Sequence, residues 1–199
     1  MNNNKTYLFI DGTNLYAAQF QLFGPERYLD FSIFKNKLEK SLGIKFDKIY
    51  FYASYSPRSS GPTTKEKAYL KNEAMFYKSV KQTPNVIFFA GYRSKTSGQE
   101  KEVDVKLTAD IITFAFLEKF NNAYLFSGDA DFLQALLPIR KFHNKKKLYL
   151  ICLQNRLMYQ GVFHFKTYII NLGGKNKLNR HLRNIEYVKI NEREVVKKA

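Results

Sequence analysis

The chain has 199 residues, 33 of them Lys or Arg and 17 Asp or Glu, for a net charge of +16. That length suits one domain of roughly 100–200 residues with a hydrophobic core of its own, and 45% hydrophobic with 16% aromatic residues excludes a disordered polyelectrolyte. The lone Cys152 excludes a disulfide framework and a cysteine-rich zinc site, and no apolar run approaches the roughly 20 residues of a membrane helix. The MNNNK start lacks a secretory pattern, so a soluble cytoplasmic protein with no membrane partner is expected. The excess of positive charge asks for a polyanionic partner. A homo-oligomer is compatible with all of this and derivable from none of it.

The first element is a compact apolar run, Tyr7–Ile10, that stops at Asp11-Gly12. Phe31–Ser41 reads as a helix. Lys48–Tyr55 is a second strand, and a polar, basic loop (residues 56–63) leads from it into a helix over Thr64–Lys81. Val86–Ala90 is a third strand, followed by a second basic loop over residues 91–99. The helix over Glu102–Phe120 is the clearest, because Val103, Leu107, Ile111, Phe114 and Leu117 recur at helical spacing. Ala123–Ser127, a helix over Asp131–Phe142, Leu148–Leu153 and a weaker strand at Thr167–Asn171 complete the alternation. Near-continuous apolar strands separated by helices point to a parallel sheet covered on both faces. The expected fold class is therefore α/β, a three-layer α/β/α sandwich with a mainly parallel central sheet.

The character changes beyond Asn171. Gly173-Gly174 breaks the chain, and eight bases against Glu186, Glu192 and Glu194 leave the last segment at +5. Residues 1–171 thus read as the domain and 172–199 as a basic extension. Leu178, Leu182, Ile185 and Val188 fall at roughly helical spacing, which predicts a helix docked on the body. Its charged face, with Lys175, Lys177, Arg180 and Arg183, is either solvated or extends a track for a nucleic acid.

In open α/β sheets, ligands bind beyond the carboxyl ends of the strands. Strand one ends there in Ile10-Asp11-Gly12-Thr13-Asn14, and strand four in Ser127-Gly128-Asp129-Ala130-Asp131-Phe132. The segment after strand three delivers Glu100-Lys101-Glu102-Val103-Asp104 into the long helix. Any one of these aspartates alone reads as a helix or turn cap. Crowded together they repel one another and raise their own pKa values, an arrangement that asks for a cation. Hard oxygen donors without a cysteine or histidine cluster favour Mg²⁺ or Mn²⁺. Asp104 lies about 100° from Val103, at the border of the buried stripe, where a first-turn residue faces the sheet tip. Asp110 falls within the stripe and reads as a structural carboxylate paired with a hydroxyl or a base.

Other chemistries lack their residues. No G-x-G-x-x-G follows strand one, and no G-x-x-x-x-G-K-[ST] loop occurs. An aspartate-nucleophile phosphatase would want an acid where Thr13 stands. His143, His164 and His181 lie far from the acids, and Cys152 sits in a strand as a small buried hydrophobe.

Three motifs resemble those of the NYN domains of the LabA-like group, relatives of PIN-domain nucleases. They are FIDGTNLY (Phe9–Tyr16), KEVDVKLTADI (Lys101–Ile111) and LFSGDADF (Leu125–Phe132), in matching order, within a likeness covering roughly Lys5 to Leu153. The resemblance implies a PIN-like fold and metal-dependent hydrolysis of RNA phosphodiesters by an endoribonuclease. It implies that Asp11, Asp104, Asp129 and Asp131 hold Mg²⁺ or Mn²⁺, that Asn14 orients a ligand or substrate, and that Asp11, Asn14, Asp104 and Asp129 are catalytic. Arg93, Lys95 and Lys101 would guide the RNA backbone. Tyr92, Tyr55 and Phe132 would either stack on unpaired bases, favouring single-stranded RNA, or pack in the core. Two rivals stay open: a non-catalytic RNA-binding module of the same fold, and a metal-dependent phosphatase, which leaves the charge unexplained.

Overall fold

The structure, a computed structural model, describes residues 4–91, 102–173 and 183–199. In chain order the elements are β1 (Thr6–Asp11), α1 (Gly12–Phe23), β2 (Arg27–Leu29), α2 (Phe31–Leu42), β3 (Lys48–Ser54), α3 (Thr64–Lys81) and β4 (Val86–Gly91). They continue with α4 (Val103–Phe116), β5 (Asn122–Phe126), α5 (Leu133–Phe142), β6 (Lys147–Leu153), β7 (Lys166–Asn171), β8 (Ile185–Lys189), α6 (Glu192–Val195) and β9 (Val196–Lys198). Seven strands form one sheet in the order β4-β3-β1-β5-β6-β7-β8, every ladder parallel, while β2 and β9 pair antiparallel on their own.

Strand alternation divides the core in two. Leu8 and Ile10 of β1 face a cluster built with Tyr16 of α1, Phe34 of α2 and Phe76 of α3. Tyr7 and Phe9 face the other way, against Leu107 and Ile111 of α4 and Leu136 of α5. This is the α/β/α sandwich expected from the alternation. Helix starts follow local chemistry. At α3, Thr63 and Glu66 form a reciprocal capping box, with Glu66 N–H donating to Thr63 Oγ1 (3.2 Å) and Thr63 N–H to Glu66 Oε2 (2.6 Å). At α2, Asp30 caps the start, and Gly43 closes the end in the left-handed region at φ 64°.

Three differences from the sequence expectation have physical causes. No helix was expected over α1, whose Asp-Gly-Thr-Asn start reads as a turn, and no strand at β2. The helix α4 stops at Phe116, because Glu118 turns the chain at φ 53°. Leu117 then falls past the helix end and is 58% exposed, and Ala115 completes the buried stripe instead. In the tail, Ile185 and Val188 belong to a strand, not a helix: β8 pairs with β7, consistent with the β-branched and aromatic run Ile185, Tyr187, Val188. Leu178 and Leu182 lie outside the described residues.

One buried polar clamp ties α1, β2 and α3 together. Gln19 and Asn72 are fully buried. Gln19 donates to Asn72 Oδ1 (3.2 Å) and accepts from Leu29 N–H (3.1 Å), while Asn72 Nδ2 donates to the carbonyls of Pro25 (3.0 Å) and Arg27 (2.8 Å). Asn72→Ala strands these buried groups and should lower unfolding stability by about 2–4 kcal/mol, as measured by urea titration against the parent.

Candidate active site at the carboxyl edge of the sheet

From β1 the chain builds outward through β3 to β4, then returns by α4 to begin the other half at β5. The topological switch point therefore lies between β1 and β5, where an open parallel sheet forms its crevice. Asp11 ends β1 there and Ser127 follows β5.

A chain of hydrogen bonds spans the crevice. Asp11 is only 5% exposed. Its Oδ1 accepts from Asn14 N–H (2.9 Å), capping α1, and its Oδ2 accepts from Ser127 Oγ (2.8 Å). Ser127 Oγ in turn accepts from Asp129 N–H (3.0 Å). Asp129 Oδ1 accepts from Asp131 N–H (2.9 Å), capping the 3₁₀ turn Ala130–Phe132. Asn14 Oδ1 accepts from Gly128 N–H (3.2 Å), which fastens the same loop to α1. Capping and clustering are thus one arrangement, because the oxygen of Asp11 that does not cap α1 faces the loop. Glycine is required twice for close approach. A Cβ at residue 12 would overlap the ring of Phe51, and one at residue 128 the backbone carbonyl of Arg156.

Asp129 and Asp131 are exposed, as is Asp104 in the first turn of α4. That turn belongs to the same edge, since Val103 packs on Gly91 at the end of β4. Among the described residues, no three His, Cys, Asp or Glu side chains are grouped so as to hold a metal. The donors are nonetheless of the right kind. Mg²⁺ is commonly held by one or two carboxylates with water and phosphate oxygens completing its shell, and the Asp11 carboxylate is a hard oxygen donor of that kind. The residues present fit that mode of binding and do not fit an all-protein cage.

Asp110 is structural, with both partners the sequence allowed. Tyr52 donates to its Oδ2 (2.9 Å) and Lys106 to its Oδ1 (2.7 Å). Burial, reinforced by the charge of Asp110, holds the Tyr52 phenol above its ordinary pKa, so it remains a donor. Burial likewise pushes the Cys152 thiol up to about 12. His143 stands 3.4 Å from Glu118, away from the crevice. Phe132 is 3% exposed and packs in the core with α4 and α5, so it offers no face to a base. Tyr55 is 42% exposed, with Lys81 Nζ 5.2 Å from its ring centre and Tyr77 and Phe88 packed beside it. Arg183 is exposed just ahead of β8. Tyr92, Arg93, Lys95, Lys101, Lys175, Lys177 and Arg180 lie outside the described residues. Sequence reasoning missed the bridging role of Ser127, although its place between β5 and Gly128-Asp129 was the signal.

A parallel seven-stranded sheet with helices on both faces and acids at its central switch point defines a PIN-like α/β/α domain. The same fold occurs in the crystal structure of a protein of unknown function from Vibrio parahaemolyticus, at 16% identity and a TM-score of 0.55, covering 85% of this chain and 93% of that one. The NYN domain model matches residues 5–160, and the chain belongs to the NYN domain family, a branch of the PIN-like superfamily whose members are in general nucleases. No curated protein matches it.

The Ser127 bridge can be tested directly. Ser127→Ala removes the donor to Asp11 and the acceptor of Asp129 N–H, and should cost about 1–3 kcal/mol of stability in denaturant unfolding. Ser127→Thr, which keeps the hydroxyl, should cost less.

Proposed function

We propose that this chain is a metal-dependent endoribonuclease of the LabA-like NYN group, acting on single-stranded RNA in the cytoplasm. The observation that carries the proposal is the bridge from the Asp11 carboxylate through the Ser127 hydroxyl to the Asp129 backbone N–H, which ties the end of β1 to the loop after β5 that carries Asp129. Asp11 and Asp129, with Asp104 and Asp131 at the same edge, are the residues assigned to hold the ion. A bound Mg²⁺ or Mn²⁺ would activate a water and neutralise charge on the phosphoryl oxygens. In the reaction, the water oxygen bonds to phosphorus and the bond to the leaving ribose oxygen breaks. The water's protons pass to that oxygen and to solvent. Asn14 holds the Gly128 N–H and so fixes the loop that carries Asp129. Tyr55, exposed just beyond the end of β3, supplies a stacking face for an unpaired base.

The net charge of +16 supports a polyanionic substrate over a small phosphate ester. Arg93, Lys95 and Lys101 are assigned to guide RNA toward the crevice. Residues 172–199 are assigned as a basic extension in which Lys175, Lys177, Arg180 and Arg183 continue the track. Among the described residues no helix is long and apolar enough to cross a membrane.

Cleavage of a labelled single-stranded RNA in Mn²⁺, Mg²⁺ or EDTA tests the proposal. Asp11→Asn and Asp129→Asn should reduce cleavage to the EDTA level while leaving the fold intact, since Asn retains an oxygen acceptor for the capped N–H groups. Parental rates in both variants would overturn the site. A parent inert in every metal yet able to bind RNA would favour the non-catalytic module. Saturating Mn²⁺ should also raise the melting temperature, by an amount equivalent to about 2.7 kcal/mol at a hundredfold excess over its dissociation constant. Asp104→Asn/Asp129→Asn should lose that rise.

A further inference from the structure

The turn after β6 opens at the same edge as the crevice, because β6 pairs in parallel with β5. Its three residues are fixed in three directions. Gln154 N–H donates to Ile170 O (3.0 Å), and its side chain accepts from Leu172 N–H (2.8 Å) and donates to Gly173 O (2.6 Å). Asn155 Nδ2 donates to Ala18 O (3.0 Å) and to Gln21 Oε1 (3.1 Å), holding the turn on α1. Arg156 N–H donates to Leu153 O (2.9 Å), and the Arg156 carbonyl lies so close to Gly128 that any side chain there would overlap it. The turn is wedged between the end of β7, α1 and the loop that carries Asp129.

What this frame presents is one cation. Arg156 is exposed, and among the described residues its guanidinium makes no hydrogen bond or ion pair. An arginine kept as counter-charge for the cluster would pair with Asp129 or Asp131, the nearest acids along the loop it touches. Here the backbone of Arg156 is held against the loop that carries these acids, and its guanidinium pairs with neither of them. Its planar fork of donors matches two oxygens of a phosphodiester, and its rigid base leaves little order to be lost on binding.

We infer that Arg156 is a phosphate-binding residue of the site, contacting non-bridging oxygens of the RNA phosphodiester presented to Asp11 and Asp129. The inference rests on the ribonuclease reading and extends it to the turn after β6, which packs against Gly128. It assigns the sheet edge a division of labour: carboxylates from β1 and the loop after β5, and a guanidinium from the turn after β6.

The test uses the full chain and a labelled single-stranded oligoribonucleotide. Affinity is titrated against salt in EDTA, single-turnover cleavage is followed in Mn²⁺, and melting temperature is recorded for the parent, Arg156→Ala and Arg156→Lys. For Arg156→Ala we expect an unchanged melting temperature, a salt slope shallower by about 0.7, and cleavage slower by about a hundredfold. Arg156→Lys should restore the salt slope and only part of the rate, because a point charge replaces the fork. Parental slope and rate in Arg156→Ala would overturn the inference. So would a melting temperature that falls with the rate and returns with Lys, which marks a structural counter-charge. A parent that binds RNA but never cleaves it would sink the ribonuclease reading instead, and the salt slope in EDTA then decides Arg156 alone.

Discussion

A carboxylate buried at the centre of a parallel sheet must have the water it lost replaced by protein donors, or it unfolds the edge around it. For Asp11 the replacements include the Asn14 N–H and the Ser127 hydroxyl. The first requires that a helix begin immediately after β1, and α1 does so at Gly12, where only a missing side chain lets the backbone pass Phe51. The second requires β5 beside β1, so that its end delivers the serine. Solvation of one side chain thus couples the two halves of the sheet, and the loop that carries Asp129 and Asp131 is fastened through it.

Elsewhere the few acids are placed with similar economy. Asp30 caps α2 and pairs with Lys197, Glu39 accepts from Phe46 N–H and pairs with Lys35, and Glu73 binds Ser56. Lys146, itself buried, is held by Glu118 and the Phe120 carbonyl, and that hydrogen bond keeps the Glu118 carboxyl below its ordinary pKa. Asp30, Glu39 and Glu73 are buried in these roles while Glu118 stays at the surface, and the positive field that draws a polyanion comes from 33 bases against 17 acids.

Six of the seven strands of the main sheet were legible as short apolar runs, and β1, β3 and β5 are ended by Asp-Gly, Ser-Pro and Ser-Gly. So was α3, read as a helix over Thr64–Lys81, and so was the pairing of Asp110 inside the α4 stripe. The helix α1 was hidden, because the residues that begin it for Asp11 are the residues of a turn. The strand β8 was hidden by ambiguity of period: Ile185 and Val188 satisfy a helical spacing, and only the open edge of β7 makes them a strand. At the site, the motifs named the acids that end β1 and follow β5, but the Ser127 bridge depends on the β1–β5 pairing. A contact between residues 116 positions apart has no local signature.

The small sheet of β2 and β9 has a further consequence for how the chain is made. Residues 196–198 lie against residues 27–29, and the Val195 carbonyl accepts the N–H of Asp30, the cap of α2. During synthesis, β1 to β7 can emerge and begin to pair while β2 waits, its edge unpaired and its neighbour not yet translated. Closing that ladder spans almost the whole sequence, a non-local step of the kind that slows folding and lengthens the time exposed edges spend without partners. A ribosome-bound chain arrested before Val196 would therefore present β2 as an open strand edge to chaperones or to a neighbouring nascent chain.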